Sequence, residues 1–429
     1  MKKYNAVFYF LFILLVMGAF ASMAQNSYGI KIMIGVSFAF AFIFLIQLVT
    51  VLINKDKRLM NYFWQHNEFP NFHFKIEECF SHFQEFATQL GEVNGLFVNV
   101  SEINKKEIVL QIILSEALKT SEIEGEYFSR EDVISSLQKQ LGISNDTIPS
   151  KDKRANAISK LMLQVRNDYQ NPLKLQMLKE WHQTLMKDDK TVKDGEWRSS
   201  EDPMQIISGR VGKIEIHFEA PPSKDLPKLL IEFEKWYQNF PYQEIGQIGR
   251  AMLRAALIHL YFETLHPFED GNGRIGRALA EKALAETLEV PVMISISKKI
   301  EEDKKEYYKA LKRAQKTQEV SNWLHYFFNI LIEAQKEVKQ TVLYVIEKAL
   351  YFDRFKSQLN ERQIKAIQKM TEKGKYSFEG GMTAKKYIVI NKTSKATATR
   401  DLQLLFEIGA FIREGDGRSV KYTINWDQY

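Results

Sequence analysis

From His266 to Arg277 the chain reads His-Pro-Phe-Glu-Asp-Gly-Asn-Gly-Arg-Ile-Gly-Arg. A proton acceptor, a carboxylate, a Gly-Asn-Gly turn and two arginines precede an apolar helical run. Gly271 and Gly273 permit positive φ and a close approach of backbone to ligand. Successive N–H groups in such a turn form an anion-binding nest. A helix starting there adds unsatisfied N–H donors and the positive end of its dipole. Arg274 and Arg277, three residues apart, share a helix face and can grip adjacent phosphates. Asp270 is a hard oxygen ligand suited to Mg2+, which binds through few carboxylates together with phosphates. His266, just upstream, can take a proton from an incoming hydroxyl. These residues describe a phosphate site with a base beside it.

Helices must hold that segment at both ends. Ile245–Thr264 before it and Arg274–Leu288 after it have helical periodicity, as do Leu226–Phe240, Glu301–Ala314 and Val320 to about Gln358. Upstream, Ile76 to about Gln140 and Arg154–Met186 repeat apolar residues three and four apart, separated by a polar loop from Gly142 to Lys153. Met204–Phe218 alternates around Ser208-Gly209 and predicts a β-hairpin, closed off by Pro221-Pro222. From Leu359 onward come three short helical segments, Asn360–Met370, Thr383–Ile390 and Ser394–Phe406. A hairpin, Phe411–Ile424, turns at Asp416-Gly417. That order is a winged-helix pattern.

A chain of 429 residues, 45% hydrophobic and 26% charged, is long enough for two or three folded domains and excludes a disordered protein. The net charge of +6 selects no partner by itself; the segment from Leu359 holds 13 Lys/Arg against 8 Asp/Glu and so most of the excess. Cys79 is the single cysteine, which excludes an intrachain disulfide and a cysteine-based metal cluster. Its neighbours Ile76, Phe80 and Phe83 at helical spacing mark a buried structural thiol.

Val7–Ala24 and Ile32–Ile53 are apolar runs long enough to span a bilayer as helices. Lys2 and Lys3 precede the first, and Lys55, Lys57 and Arg58 follow the second, which puts both ends in the cytoplasm. The alternatives are a signal peptide ending at Ala24, leaving one span, and a buried hydrophobic hairpin. The expectation is a protein of the inner (cytoplasmic) membrane with its catalytic part facing the cytoplasm.

The full pattern His-Pro-Phe-x-Asp-Gly-Asn-Gly-Arg-x-x-Arg resembles the signature of the Fic (Fido) family. The likeness extends over roughly residues 60 to 340, more loosely over the tail, and not over the apolar runs. It implies a mainly α fold: a Fic-type helical core with a β-hairpin flap, joined here to a C-terminal winged helix and two N-terminal transmembrane helices. The expected division is 1–58 membrane anchor, 59–150 N-terminal helical region, 151–345 Fic core and 359–429 winged helix.

The resemblance implies transfer of AMP from ATP to a protein Tyr, Ser or Thr hydroxyl. By position, His266 is then the general base, and Asp270 holds Mg2+ between the α- and β-phosphates. Gly271, Asn272, Gly273 and Arg274, with Gly276, belong to the nucleotide cradle. Arg277 meets the γ-phosphate, and Phe268 anchors the loop. Tyr307 and Tyr308 resemble the adenine-side aromatics, either of which could also be core. Gly195-Glu-Trp-Arg198 and Ile216–Pro222 resemble the flap region, which holds a target by strand addition. His217 belongs there, with packing its plainer role.

Thr120-Ser-Glu-Ile-Glu-Gly125 resembles the inhibitory Ser/Thr-x-x-x-Glu-Gly motif found N-terminal to the core in one class of the family. There Glu124 would pair with Arg277 and withhold it from phosphate; the plainer reading is a glutamate on a solvated helix face. Removal of AMP, or transfer of another nucleotide phosphate, fits the same site. A third reading is a membrane-tethered DNA-binding regulator with a silent core. Lys392, Lys395, Arg400, Arg413, Arg418 and Lys421 suit DNA phosphates, yet the moderate charge and the expected tether favour protein docking by the tail. Self-AMPylation and a homo-oligomer stay open.

Overall fold

The computed structural model describes residues 62–143, 150–210, 213–372, 374–375 and 377–427. The chain divides into two compact units, Met1–Asn67 and Glu68–Tyr429. The described part of the first holds one 3-10 turn, Phe63–Gln65.

The second unit begins with helices α1 (Phe80–Val98), α2 (Glu102–Ile123) and α3 (Arg130–Gln140). Ser101 and Ser129 cap α2 and α3 through their side-chain oxygens. Helices α4 (Lys153–Asn167) and α5 (Leu175–Met186) follow. Strands β1 (Gln205–Arg210) and β2 (Lys213–Glu219) then form an antiparallel hairpin. Arg210 pairs with Lys213 and Gln205 with Glu219, with a bulge at Ile206/Ile207. Ser208 and Gly209 therefore sit inside β1, opposite Glu215 and Ile214. Alternation alone puts the turn at Ser208-Gly209, because a strand-internal Ser-Gly reads locally like a turn.

Helices α6 (Leu226–Gln238), α7 (Gln247–Leu265), α8 (Asn272–Leu288), α9 (Ile296–Glu302), α10 (Lys304–Ala314) and α11 (Ser321–Phe355) complete the helical core. Helix α7 is apolar almost all round, and Gly249 and Ala251–Leu265 are all buried. Such a helix belongs at the centre of a core. It packs along α8, and Trp323 of α11 donates its indole N–H to Ala256 O at 2.9 Å.

The chain ends with α12 (Glu361–Thr371), α13 (Ala384–Asn391), α14 (Lys395–Glu407) and a ribbon of β3 (Phe411–Glu414) and β4 (Lys421–Ile424). Asn360, Thr383 and Ser394 cap the three helices. Tyr351 and Phe355, at the end of α11, share a buried cluster with Ile367, Tyr387, Leu402, Phe411 and Trp426. Asp401 locks these helices together by accepting from Arg362 (2.8 and 3.2 Å), Asn360 (3.2 Å) and the Tyr387 hydroxyl (3.0 Å).

The expectation of two transmembrane helices, and with it a membrane location, is corrected. Among the described residues no helix is long and apolar enough to cross a membrane. Helix α11, at 35 residues, has the length, but Glu333, Lys336, Glu337, Lys339, Glu347 and Lys348 interrupt it, and a bilayer interior does not accept such charges unpaired. Val7–Ala24 and Ile32–Ile53 lie outside the described residues.

Candidate active site

The site forms where α7 stops and α8 starts. Pro267 disfavours a helical conformation in the residue before it, and His266 caps α7 in the left-handed region at φ 46°, its N–H bonded to Phe262 O at 2.9 Å. Asn272 then ties the loop to itself: Phe268 N–H donates to Asn272 Oδ1, and Asn272 Nδ2 to Phe268 O, both at 2.9 Å. The buried Phe268 ring stacks on His182 with centroids 3.9 Å apart, and Trp197 lies 4.7 Å away. Gly271, the N-cap of α8, takes φ 78°, as its position requires. A Cβ on Gly273 would collide with the Glu124 carboxylate, and one on Gly276 with Glu263. These two glycines are what lets both carboxylates approach α8.

Arg198, on the approach to the hairpin, clamps the loop. Its Nε donates to His266 O at 2.7 Å and its Nη2 to Leu265 O at 3.2 Å and to Pro221 O. Its Nη1 donates to Ser223 Oγ at 2.9 Å, and its own N–H to Pro267 O at 2.9 Å. Burial lowers the guanidinium pKa to about 10. His182 supports the other side. Gly195 N–H donates to its Nδ1 at 2.8 Å, which leaves the Nε2 proton for Asp270 O at 3.2 Å. Burial lowers the His182 pKa to about 4, consistent with a neutral ring serving as both acceptor and donor.

The His266 side chain is 12% exposed and lies with its Nδ1 3.8 Å from Glu263 Oε2. Burial, reinforced by the Arg198 charge, lowers its pKa to about 4, so the imidazole is neutral at physiological pH. Burial pushes the Glu263 carboxyl up to about 8, against the pull of Arg277. Asp270 is the exposed member. It accepts from Gly271 N–H at 2.5 Å and lies 3.7 Å from Arg274 Nη2, with 56% of its side chain accessible.

Both arginines of α8 are buried and engaged. Arg277, 1% exposed, donates from Nε to Thr120 Oγ1 at 2.9 Å, and from Nη2 to Thr120 O and Glu124 Oε1, each at 2.8 Å. Arg274 donates from Nη1 to Glu126 Oε2 at 2.8 Å. Burial disfavours ionised Glu124, but the charge and hydrogen bond of Arg277, with Arg274 and Lys304 nearby, outweigh it and hold the carboxyl below its usual value.

The turn that delivers these acids is a helix C-cap. Gly125 stands at φ 84°; its N–H donates to Glu122 O at 3.0 Å, and Glu126 N–H to Ser121 O at 2.9 Å. That bond pair is the Schellman closure, which needs a left-handed residue at Gly125.

Tyr307 is buried, its hydroxyl 2.9 Å from His259 Nε2, whereas Tyr308 is 38% exposed with Lys304 Nζ 5.7 Å from its ring centre. His217 on β2 lies 3.1 Å from Lys312 Nζ. Two larger cavities, about 580 and 930 Å3, lie elsewhere, with no lining residue from 266–277.

Thus one locus gathers His266, Asp270–Gly273, Arg274, Gly276, Arg277, Thr120, Glu124 and Gly125. Arg198 and His182 were not legible as loop supports, because their partners are backbone atoms distant in sequence. Glu126 had a readable signal: a second acid just past the turn glycine.

The model of the Fic/DOC family matches residues 172–284, and that of a domain of unknown function, DUF4172, matches residues 62–143. A probable protein adenylyltransferase of Aquifex aeolicus (strain VF5) is 33% identical over 69 residues, which is 16% of this chain and 20% of that protein. The chain thus spans only a small part of that relative. Among solved structures, a Fic family protein from Desulfovibrio desulfuricans G20 is 15% identical, with a TM-score of 0.47 over 83% of this chain and 98% of that one. A Fic domain containing signaling protein from Bacteroides thetaiotaomicron VPI-5482 is 20% identical, with a TM-score of 0.46 over 60% and 96% of the two chains. Helices α5 to α7, the hairpin, the loop from His266 and all but the last turn of α8 fall within the matched residues 172–284, and this part of the chain is a Fic/DOC domain.

Proposed function

We propose that this protein transfers AMP from ATP to a hydroxyl side chain of a protein target, and that Glu124 holds the reaction back by occupying Arg277. The observation that carries the reading is the Arg277 guanidinium, buried and bonded to Thr120 and Glu124 rather than open to a phosphate. In the transfer, the target oxygen bonds to the α-phosphorus, the bond from that phosphorus to the β-phosphate bridge breaks, and pyrophosphate leaves. The hydroxyl proton goes to a ring nitrogen of His266, which is neutral and therefore able to accept it. The α8 N-terminus at Gly271–Gly273, with Arg274 and Arg277, binds the phosphate chain.

Asp270 fits a role in holding Mg2+: its carboxylate is accessible at the rim of the phosphate cradle, and one carboxylate with phosphate oxygens satisfies that ion. Bound Mg2+ would neutralise charge on the α- and β-phosphates. Tyr308, the exposed tyrosine of the pair, is the better placed to stack on adenine. The two-stranded hairpin, near the loop through Arg198, offers a strand edge to an extended target segment. The tail is read as a winged helix that docks protein, because Leu404, Phe406 and Ile412 are each 40% exposed among its cations. A salt-dependent complex with duplex DNA would reverse that assignment.

The test is labelling of cell extract with tagged ATP by wild type, Glu124→Gly and His266→Ala, read by mass spectrometry for added AMP. Strong labelling by Glu124→Gly, weak labelling by wild type and none by His266→Ala is expected. Equal labelling by all three, or release of AMP instead of its addition, overturns the proposal.

A further inference from the structure

The helix end that carries Glu124 carries a second acid. Glu126 Oε2 accepts from Arg274 Nη1 at 2.8 Å, in an ion pair whose arginine side chain is 4% exposed. The Schellman closure around Gly125 fixes the spacing, so one turn sends Glu124 to Arg277 and Glu126 to Arg274. Lys304 donates to Ile123 O and ties this turn to α10. The space beside Arg274, lined by Glu126, Met186 and Asp189 among others, is about 20 Å3. The other neighbours of the Arg274 guanidinium are Met186 Sδ at 3.8 Å and Asp270 Oδ1 at 3.7 Å.

We propose that Glu126 is the second half of a two-carboxylate plug: Glu124 and Glu126 take, on two neighbouring arginines, the places of two phosphate groups. The proposal rests on the reading of Arg274 and Arg277 as phosphate binders. A ligand with two linked phosphates can displace both acids together, whereas a single phosphate competes for one arginine and leaves the turn anchored by the other. Glu124→Gly therefore clears half of the block. Arg274 stays engaged, and the apparent affinity for nucleotide stays below what the cradle can give.

The test compares the full chain as wild type, Glu124→Gly, Glu126→Gln, Glu126→Ala and the two double variants. The double variants should show a KM for ATP about tenfold below that of Glu124→Gly, as expected for loss of a charge-assisted bond that competes with the ligand. Inhibition by inorganic pyrophosphate should tighten by a similar factor, and inhibition by inorganic phosphate should change far less. Double variants with the same KM and the same pyrophosphate inhibition as Glu124→Gly would overturn the proposal. If Glu124→Gly labels no more than wild type, the proposed brake fails. Calorimetric ATP binding to Glu126→Ala then decides separately: tighter binding than wild type upholds the second carboxylate, and unchanged binding overturns it.

Discussion

The loop from His266 to Arg277 and the turn from Glu124 to Glu126 meet across the same two arginines but are held in different ways. Buried groups from several elements fix the loop: Arg198 on the carbonyls of Leu265 and His266, Asn272 on Phe268 in both directions, and the His182 ring stacked on Phe268. The turn is a helix end closed by its own backbone, and Glu124 and Glu126 each leave 26% of the side chain accessible. A site fixed by buried, interlocking contacts keeps its geometry when one partner leaves. The acids of the helix end lie at the edge of solvent, so their two ion pairs can open while Thr120 and Ile123 stay in the core and the loop keeps its geometry.

The comparison can be broken most forcefully at His266. His266→Ala should lower AMP transfer by about 10^2–10^4, the range for a positioned general base, while calorimetry finds ATP binding retained. Loss of binding in step with activity would mean that the ring supports the loop instead of reacting. Next in size is Arg198→Met. It strips donors from the carbonyls of Leu265, His266 and Pro221, and unfolding in urea should register a loss of about 3–5 kcal/mol. A loss below about 1 kcal/mol would show that the loop does not depend on the clamp.

On the turn, effects should be smaller and of opposite sign for activity. Gly125→Ala forces a Cβ into a left-handed cap at a cost of about 1–2 kcal/mol. With the cap loosened, AMP transfer should rise, by less than in Glu124→Gly. A fall in transfer would indicate that the turn supports catalysis.

The last prediction concerns pH. The Glu263 carboxyl is lifted from its usual 4.5 to about 8, so the folded chain keeps a proton that the unfolded chain releases. Its contribution to stability is complete below pH 4.5 and is lost as pH rises through 8. Glu263→Gln stays neutral, so its urea midpoint should fall less than that of wild type over this interval. His266, lowered from 6.5 to about 4, acts in the other direction, costing stability as pH falls from 6.5 through 4. An identical slope in Glu263→Gln and wild type would place the raised pKa elsewhere.

Much of the tail was legible because caps and turns are local. Asn360, Thr383 and Ser394 each precede a helix and bond to its first-turn N–H groups, and Asp416-Gly417 sits where the ribbon reverses. The phosphate-loop chemistry was legible for the same reason, since glycines and arginines at fixed spacing act within one turn of a helix. The reversal of the first hairpin was misplaced because register depends on the partner strand. The two apolar runs were read from hydropathy as spans, and the described helices supply none.

By itself the sequence determined which groups could act: a base, a carboxylate, a positive-φ turn and two arginines in working order, with an acid-bearing helix end upstream. These are short-range facts, set by backbone preferences and side-chain chemistry. Only the tertiary structure decided which groups meet. It brought Thr120 and Glu124 to Arg277 across 157 and 153 residues, and Glu126 to Arg274 across 148. It put His182 and Arg198 beneath the loop and lowered both pKa values by burial. Such pairings follow from how α2, α5 and α8 pack, and packing depends on the whole core at once.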